Sequence, residues 1–459
     1  MLKKLIGDKA FYKMVFVIVI PIIIQNGVTQ FVNLLDNIMI GQLGTLEMSG
    51  VSIANSLLAV FNVVIFGTMS GPGIFTAQFY GKKDNKGIQD TFHYKCIIGL
   101  IMLLISLLLF KGLGKTLISF YITGNASDSA ITLQYANQYL SIMLWGLFPF
   151  ILGQVYNSTL RETRDTLLPM VSTTIALFTN FILNYILIFG HFGCPRLGVA
   201  GAALATVFAR YVECGILIIS SHLTIQKHRY LQNIYRSFKI KMDLVKAIAI
   251  KSLPLLGNEI LWSITQAMIT QSYSTRGIEG VAAMNISTTV SSTFMIVCYA
   301  MGSAISIIVG QELGANETER AYQYDIYLIS FNCFLCILTG ILLALVSSII
   351  PSFYNTTDQV KQIATMLLFV CALFIPIRSL YYGCYFTMRA GGKTVLTFIF
   401  DSLYSTVVDL SIAFLLSRFT ALPLPYLYFA VEFCSVPKVV IGLILIKKKI
   451  WISNIVNEF

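Results

Sequence analysis

The sequence predicts an all-α polytopic membrane protein with 12 transmembrane helices in two six-helix bundles. Two observations carry this prediction: the chain is 56% apolar and only 12% charged, and its second half repeats landmarks of the first half in the same order. A soluble globular domain is about 25% charged, so a water-soluble class is excluded. The repeat predicts that the two bundles are related by a pseudo-two-fold axis along the membrane normal.

Twelve apolar runs account for most of the chain length. A helix needs about 20 apolar residues to cross the hydrocarbon layer, and tilted or bent helices are longer. The runs predicted to span the membrane in the first half are 11–37, 46–78, 91–110, 135–159, 167–189 and 199–223. Those in the second half are 244–274, 281–310, 321–350, 361–388, 396–416 and 424–446.

The repeat is visible as paired landmarks separated by roughly 230 residues. The pairs are Pro21 and Pro254, Gly50 and Gly280, Asn55 and Asn285, Gln78 and Gln311, Gly81 and Gly314, and Arg161 and Arg389. Six spans per half is an even number, so both halves enter and leave on the same side of the membrane. We therefore expect an N-terminal lobe at 1–225, a cytoplasmic amphipathic linker at 226–243 and a C-terminal lobe at 244–459. A duplication of this kind in so apolar a chain indicates a transporter.

The positive charge is distributed as membrane topology requires. The net charge is +11, and most Lys and Arg residues fall in the loops that are cytoplasmic if the N-terminus is inside. This bias predicts that both termini are cytoplasmic, and it argues against nucleic acid as a partner. The basic linker carries apolar residues at helical spacing, so we expect a helix lying along the cytoplasmic membrane surface.

Prolines occur at matching places near the starts of the first and seventh spans. A proline inside a helix removes one backbone hydrogen bond and bends the helix. Pro21 and Pro254 are therefore candidate hinges, and a static kink is the alternative for each.

Asp36 is the sharpest candidate among the intramembrane carboxylates. A carboxylate at the bilayer centre costs roughly 2.5–3.5 kcal/mol, so each needs a physical reason. Polar residues precede Asp36 at spacings of three to four, so one face of the first span lines water or a polar partner. Asp36 would bind a proton if it is alone and desolvated, or sodium if amide and carbonyl oxygens converge on it. A solvated position near the outer surface is the alternative.

Other polar residues in the spans are candidates either for a cluster with Asp36 or for separate sites in the second lobe. Asn180 and Asn184 project from one face of the fifth span, and Thr206 and Asn157 on neighbouring spans could complete a cluster. Asparagines also join membrane helices without any further function. In the second lobe, Glu259 and Asp401 are candidate ionisable sites; pairing of Glu259 with a neighbouring helix and solvation of Asp401 at the cytoplasmic end are the alternatives.

Four stretches resemble the multidrug and toxic compound extrusion (MATE) family, and the resemblance extends over nearly the whole chain. They are LLDNIMIGQLG at 34–44, RETRDTLLP at 161–169, NFILNYILIFG at 180–190 and LGVAGAALAT at 197–206. The chain looks closer to the DinF-like bacterial subgroup than to the NorM-like one.

The resemblance implies an antiporter, not an enzyme, that exchanges H+ or Na+ for amphipathic and often cationic compounds by alternating access. The coupling-ion site of the family is carried over here onto Asp36, Asn157, Asn180, Asn184 and Thr206. Many relatives have Asp at the position of Asn184, so Asp36 would carry the charge alone. We expect no cofactor besides the coupling ion, a monomer in the bacterial inner membrane, and substrate contacts from Phe148, Phe150, Phe294 and Met295. The alternative function is a flippase for lipid-linked saccharides.

Overall fold

The computed structural model describes residues 5–122 and 126–459, and within these ranges the chain is helical with no β-strand. Backbone polar groups in lipid must be paired within the segment, which a helix does completely. The helices of the first half are α1 Lys9–Gly41, α2 Thr45–Lys82, α3 Asn85–Ser119, α4 Ala126–Met143, α5 Leu147–Glu162, α6 Leu167–Phe189 and α7 Val199–Leu223. Those of the second half are α8 Met242–Ser274, α9 Ile278–Phe294, α10 Ile296–Gly314, α11 Thr318–Val346, α12 Asp358–Ala390, α13 Thr394–Phe398, α14 Leu410–Phe419, α15 Leu424–Phe433 and α16 Ser435–Lys447.

Eleven helical stretches in the described part of the chain are long and apolar enough to cross a membrane. They correspond to eleven of the twelve predicted spans. The seventh span is α8, which has the required length of 33 residues but carries Lys246, Lys251 and Glu259 and is not among the eleven. Large apolar side chains such as Leu108 and Phe208 are exposed, as expected for a surface that faces lipid. The prediction of an all-α polytopic membrane protein is confirmed.

The chain forms two compact units. The N-terminal unit comprises Ile20–Thr76 and Asn85–Val245, and the C-terminal unit comprises Met1–Val19, Ala77–Asp84 and Lys246–Phe459. In the N-terminal unit α6 packs along α7, and α3 packs on α5. In the C-terminal unit α12 packs against α9, α10 and α11 around a core that includes Leu343, Leu367 and Cys371.

The two candidate hinge prolines occupy different places in these units. Both lie inside unbroken helices, Pro21 in α1 and Pro254 in α8. The boundary between the units falls between Val19 and Ile20, next to Pro21, whereas Pro254 lies inside the C-terminal unit. The helical weak point created by Pro21 therefore coincides with the place where α1 passes from one unit to the other.

The repeated Gln and Gly landmarks meet in a reciprocal helix crossing within the C-terminal unit. A Cβ atom on Gly81 would overlap the backbone carbonyl of Gln311, and a Cβ atom on Gly314 would overlap that of Gln78. Only glycine permits the backbones of α2 and α10 to approach this closely. The buried Gln78 amide donates to the carbonyl oxygens of Ala390 at 3.0 Å and Ser453 at 3.2 Å.

The linker between the seventh and eighth helices contains turns and one 3-10 turn at Arg229–Leu231 instead of the expected amphipathic helix. Five apolar linker residues were expected to dip into the membrane interface. Tyr230, Leu231 and Ile234 are buried instead, whereas Tyr235 and Phe238 are exposed. The linker is fixed to the N-terminal unit by polar contacts: Tyr230 bonds Thr163 at 2.9 Å, and the Ile234 carbonyl lies 2.5 Å from a ring nitrogen of His93.

Asp165 anchors the start of the linker from the loop before α6. Its Oδ2 atom lies 2.6 Å from the Lys227 ammonium and 3.2 Å from Nε2 of His228. Burial alone would raise the pKa of Asp165, but its contacts with His228, Lys227 and the Leu168 amide outweigh burial and lower the pKa from its ordinary 3.8. The carboxylate is therefore ionised at neutral pH.

Candidate functional site

The N-terminal unit brings Asp36 of α1 against the two asparagines of α6. The Asn184 amide nitrogen donates to Oδ1 of Asp36 at 2.7 Å. Asn180, one helical turn earlier, presents its amide group to the same carboxylate. In the amide orientation that satisfies both of its ends, the nitrogen lies 3.0 Å from both Asp36 oxygens and the oxygen accepts from Thr206. The i, i+4 spacing explains why both amides point the same way. Two neutral donors therefore hold one half-buried carboxylate.

Thr206 of α7 completes this cluster. Its Oγ1 atom lies 3.2 Å from the Asn180 amide group and donates to the Ala202 carbonyl at 3.0 Å. Asn180 is 3% exposed and Asn184 is 1% exposed, so water has little access to either amide. The structure thus places four of the five predicted coupling-site residues in direct contact: Asp36, Asn180, Asn184 and Thr206.

The charge of Asp36 is not balanced by a side-chain cation. Within the described residues, no Lys, Arg or His nitrogen lies within 4.0 Å of its carboxylate. The Oδ1 atom of Asn184 is buried and makes no hydrogen bond to any described residue. An unbalanced carboxylate beside an unused amide oxygen can accept a proton, or can share a small cation such as sodium between oxygen ligands.

Asn157 is not part of this cluster. It is buried in α5, and no hydrogen bond in the described structure joins it to Asp36 or to the α6 asparagines. Asn157 is about five residues from the end of α5, roughly 8 Å along the axis, whereas Asn180 is roughly 20 Å from the start of α6. The two helices are joined by a short loop, so these residues lie at different depths.

A second polar chain in the N-terminal unit was missed by the sequence reasoning. The Gln25 side chain donates to Thr173 at 2.8 Å, and Thr173 donates to Glu213 at 2.6 Å. Gln25 is the first residue of the polar face of α1, and that face was the available signal in the sequence. Nothing in the sequence singled out Thr173. The chain of hydrogen bonds gives Gln25 a polar partner.

The four predicted substrate residues are not gathered in one unit. Phe148 and Phe150 lie in the N-terminal unit, where Phe148 is 53% exposed and the Arg210 guanidinium lies 4.8 Å from the Phe150 ring centre. Phe294 and Met295 lie in the C-terminal unit, with Met295 buried in its core. Phe148 is therefore the residue of the four with most surface for contact.

The C-terminal unit contains a different kind of polar cluster. Asp401 is buried there, not solvated at a helix end, and its Oδ1 atom lies 2.8 Å from the Lys438 ammonium. Its Oδ2 atom accepts from the Asn258 amide at 3.2 Å. The neighbouring Glu259 accepts a hydrogen bond from the Tyr385 hydroxyl at 3.4 Å. The second-lobe candidates are thus neighbours, but Asp401 is neutralised by a lysine.

Two intramembrane charges without assignable partners in the sequence are partners of each other. Arg378 of α12 and Glu432 of α15 form a two-point ion pair, with the Arg378 Nε atom 2.9 Å from Oε2. The Tyr428 hydroxyl accepts from the same guanidinium at 3.0 Å. Pairing across two helices separated by 54 residues leaves no periodic signal in the sequence, so this contact could not be predicted.

Comparison with known proteins fits this geometry. The family model described as MatE matches residues 21–186 and 254–415, one segment in each half. The chain is 25% identical to the "Probable multidrug resistance protein NorM" of Oceanobacillus iheyensis, covering 89% of this chain and 90% of that protein. It is 28% identical to an "FAD transporter" of Shewanella oneidensis, covering 72% of this chain and 71% of that protein.

A solved structure has the same fold. The "Crystal structure of MATE in the bent conformation" superimposes with a TM-score of 0.86 at 19% identity, covering 98% of this chain and 97% of the other. The family expected from the sequence motifs is confirmed, whereas the DinF-like subgroup stays a prediction. With a family match that covers most of both halves, the chain belongs to the MatE family of membrane transporters.

Proposed function

We propose that this protein is a cation-coupled antiporter that uses H+ or Na+ to export amphipathic, often cationic, drugs or metabolites by alternating access. The observation that carries the proposal is the Asp36 carboxylate, which is held by the amides of Asn184 and Asn180 and has no side-chain cation within 4.0 Å in the described residues. A charge of this kind in a membrane helix is retained for a function. Relatives named as multidrug resistance proteins support the substrate class.

Arrival of the coupling cation changes the hydrogen bonds that Asp36 can make. The ionised carboxylate accepts from both amides. A protonated Asp36 would be a donor on one oxygen, and the unused Oδ1 atom of Asn184 is a buried acceptor on a side chain that already contacts Asp36. Sodium would use the same oxygens as ligands, with Thr206 as a further oxygen. In either case α6 and α1 must adjust, because amide donors are exchanged for amide acceptors.

The adjustment can be transmitted along α1. Asp36 and Pro21 lie in one continuous helix, roughly 22 Å apart along its axis. Pro21 lies at the boundary between the compact units and lacks a backbone donor. We propose that Pro21 is the hinge at which cation binding changes the bend of α1. Pro254 lies inside the C-terminal unit, and we propose it as a second hinge, at which α8 bends within that unit.

Substrate and cation need to favour different conformations for exchange to occur. We propose that Phe148 and Phe150 contribute aromatic surface for the substrate in the N-terminal unit. Phe294 contributes in the C-terminal unit, and Met295 contributes only if its core packing opens. We also propose that the protein is a monomer in the bacterial inner membrane. An orientation with both termini cytoplasmic accounts for the distribution of Lys and Arg.

A lipid-linked saccharide flippase is disfavoured by the state of the intramembrane arginines. A pyrophosphate group requires cations that are free to bind it. Arg378 is paired with Glu432, and Arg210 donates to the Gly146 carbonyl at 3.4 Å while stacking on Phe150. The relative named as an FAD transporter favours a second candidate within the same mechanism, namely export of an endogenous metabolite.

Ethidium accumulation tests the proposed function. Cells expressing the wild-type protein should accumulate less ethidium than cells carrying the empty vector, and either a protonophore or removal of sodium should abolish the difference. D36N should reach the membrane in normal amount and export nothing, because it cannot change charge. Full export by D36N would contradict the proposal.

A further inference from the structure

The ammonium group of Lys438 is enclosed in the C-terminal unit by the groups that a free cation would need. Its Nζ atom lies 2.8 Å from Oδ1 of Asp401 and 3.4 Å from Oγ of Ser405. The ring centres of Tyr381, Phe400 and Tyr404 lie at 4.5, 5.6 and 5.8 Å. Lys438 is 3% exposed. One carboxylate, one hydroxyl and three aromatic faces together form a cage for an ammonium ion.

The cage is tied to α8 by a hydrogen-bonded network. Asn258 donates to Oδ2 of Asp401 at 3.2 Å and accepts from the Ser402 hydroxyl at 2.8 Å on its side-chain oxygen. The Ser402 hydroxyl also lies 2.7 Å from the Asn258 backbone carbonyl. Among the described groups that hydrogen-bond to the Asp401 carboxylate, only the Lys438 ammonium is charged. The charge of the ammonium is therefore what stabilises the buried carboxylate.

The backbone around the cage is distorted where the cage residues are attached. Ile399–Leu403 and Ser405–Asp409 are π-helical turns between α13 and α14. A π turn carries one extra residue relative to an α-helix and so re-aims side chains, and such turns are found mostly at functional sites. Here the two turns direct Asp401 and Ser405 toward the same ammonium.

We propose that this cluster is a monovalent-cation site whose resident cation is the side chain of Lys438. When that side chain is shortened, the site binds a free small ammonium or alkali cation. The Arg378–Glu432 pair of the same unit is a different arrangement, because a planar guanidinium meets its carboxylate at two points and leaves no cage that matches a spherical cation.

The consequence for transport rests on the proposed function. A carboxylate permanently neutralised by a tethered cation does not need a cation from solution. The coupling ion is then exchanged at Asp36 and not at Asp401, and the C-terminal unit changes conformation without taking up an ion at Asp401.

Thermal stability of the purified full-length protein tests the site with methylammonium chloride as the probe and N-methylglucamine chloride as the ionic-strength control. K438A should show a saturable rise of melting temperature with methylammonium, since a ligand that binds only the folded state stabilises it. The wild-type protein and K438M, whose side chain fills the cage without charge, should show no rise beyond the control. K438A/D401N should show none, because the carboxylate is gone.

The proposal is overturned if K438A gains no more from methylammonium than from N-methylglucamine, or if K438A/D401N gains as much as K438A. If K438A is lost during purification, recovery only in the presence of methylammonium supports the site, and loss under both conditions while K438A/D401N is recovered overturns it. These results do not depend on export. If the ethidium experiment failed, the melting-temperature results would still test the cation site.

Discussion

The two units each bury an aspartate against an asparagine, but they compensate its charge differently. In the N-terminal unit Asn184 donates to Asp36 at 2.7 Å, and the remaining neighbours are neutral. In the C-terminal unit Asn258 donates to Asp401 at 3.2 Å, and Lys438 lies on the other oxygen. A carboxylate with only amide partners can gain a cation, whereas one with a lysine already has one. The difference supports our proposal that the coupling cation is exchanged at Asp36 and not at Asp401.

The duplicated scaffold tolerates opposite charges at matching places. Lys95 of α3 bonds the Thr159 hydroxyl at 3.1 Å, and roughly 230 residues later Asp325 of α11 accepts a bond from the Thr387 hydroxyl. Both charged residues are fully buried. The lysine also pairs with Glu162 at 2.6 Å. Helix packing has therefore been retained in both halves while the buried charges have diverged.

The largest expected effect on stability comes from replacing Lys438, the counter-charge that Asp401 has and Asp36 lacks. K438M leaves Asp401 buried without a counter-charge and should lower the free energy of unfolding by about 3–5 kcal/mol. D36N removes a charge that has no cationic partner, so it should change stability by less than about 1 kcal/mol. Melting temperatures of the two purified variants measure both effects. Equal destabilisation would show that the two aspartates are compensated alike.

A second prediction concerns the contact that both halves retain. G81A and G314A each place a Cβ atom against a backbone carbonyl that cannot move aside, and each should cost about 3 kcal/mol or more. G112A, where a Cβ would meet no atom within 4 Å, is the matched control and should be tolerated. Size-exclusion profiles after heating compare the three. Tolerance of G81A would mean that the helices do not cross this closely.

The smallest expected effect on stability concerns Asp165, an aspartate that lies outside the membrane spans. Because the folded pKa of Asp165 is lowered below 3.8, its stabilisation is present at neutral pH and is lost as the pH falls through that value and below. D165N should lower stability by about 1 kcal/mol at neutral pH, a small cost because the Lys227 partner is largely exposed. The difference in melting temperature between wild type and variant should begin to narrow as the pH falls from 7 to 3. A difference that stays constant with pH would contradict the assignment.

The sequence predicted the membrane class, the spans and the clustering of Asp36 with Asn180, Asn184 and Thr206, because these follow from local periodicity and family motifs. It could not pair Lys438 with Asp401 or Arg378 with Glu432, because such contacts depend on how distant helices pack. It also treated Pro21 and Pro254 alike, since the unit boundary beside Pro21 is a property of the folded chain. The linker was expected to be helical, but it forms turns, and Tyr230, Leu231 and Ile234 are buried, with the turn at Arg229–Leu231 packed against α3.

Cation binding by the purified protein tests the central claim most directly. Binding of sodium-22, and release of protons on addition of ethidium, would be measured for wild type, D36N and the charge-neutral pair variant D401N/K438M. If the cation is exchanged at Asp36, one of the two signals is present in wild type and in D401N/K438M and is absent in D36N. A D36N protein that still binds sodium or releases protons as wild type does would contradict it.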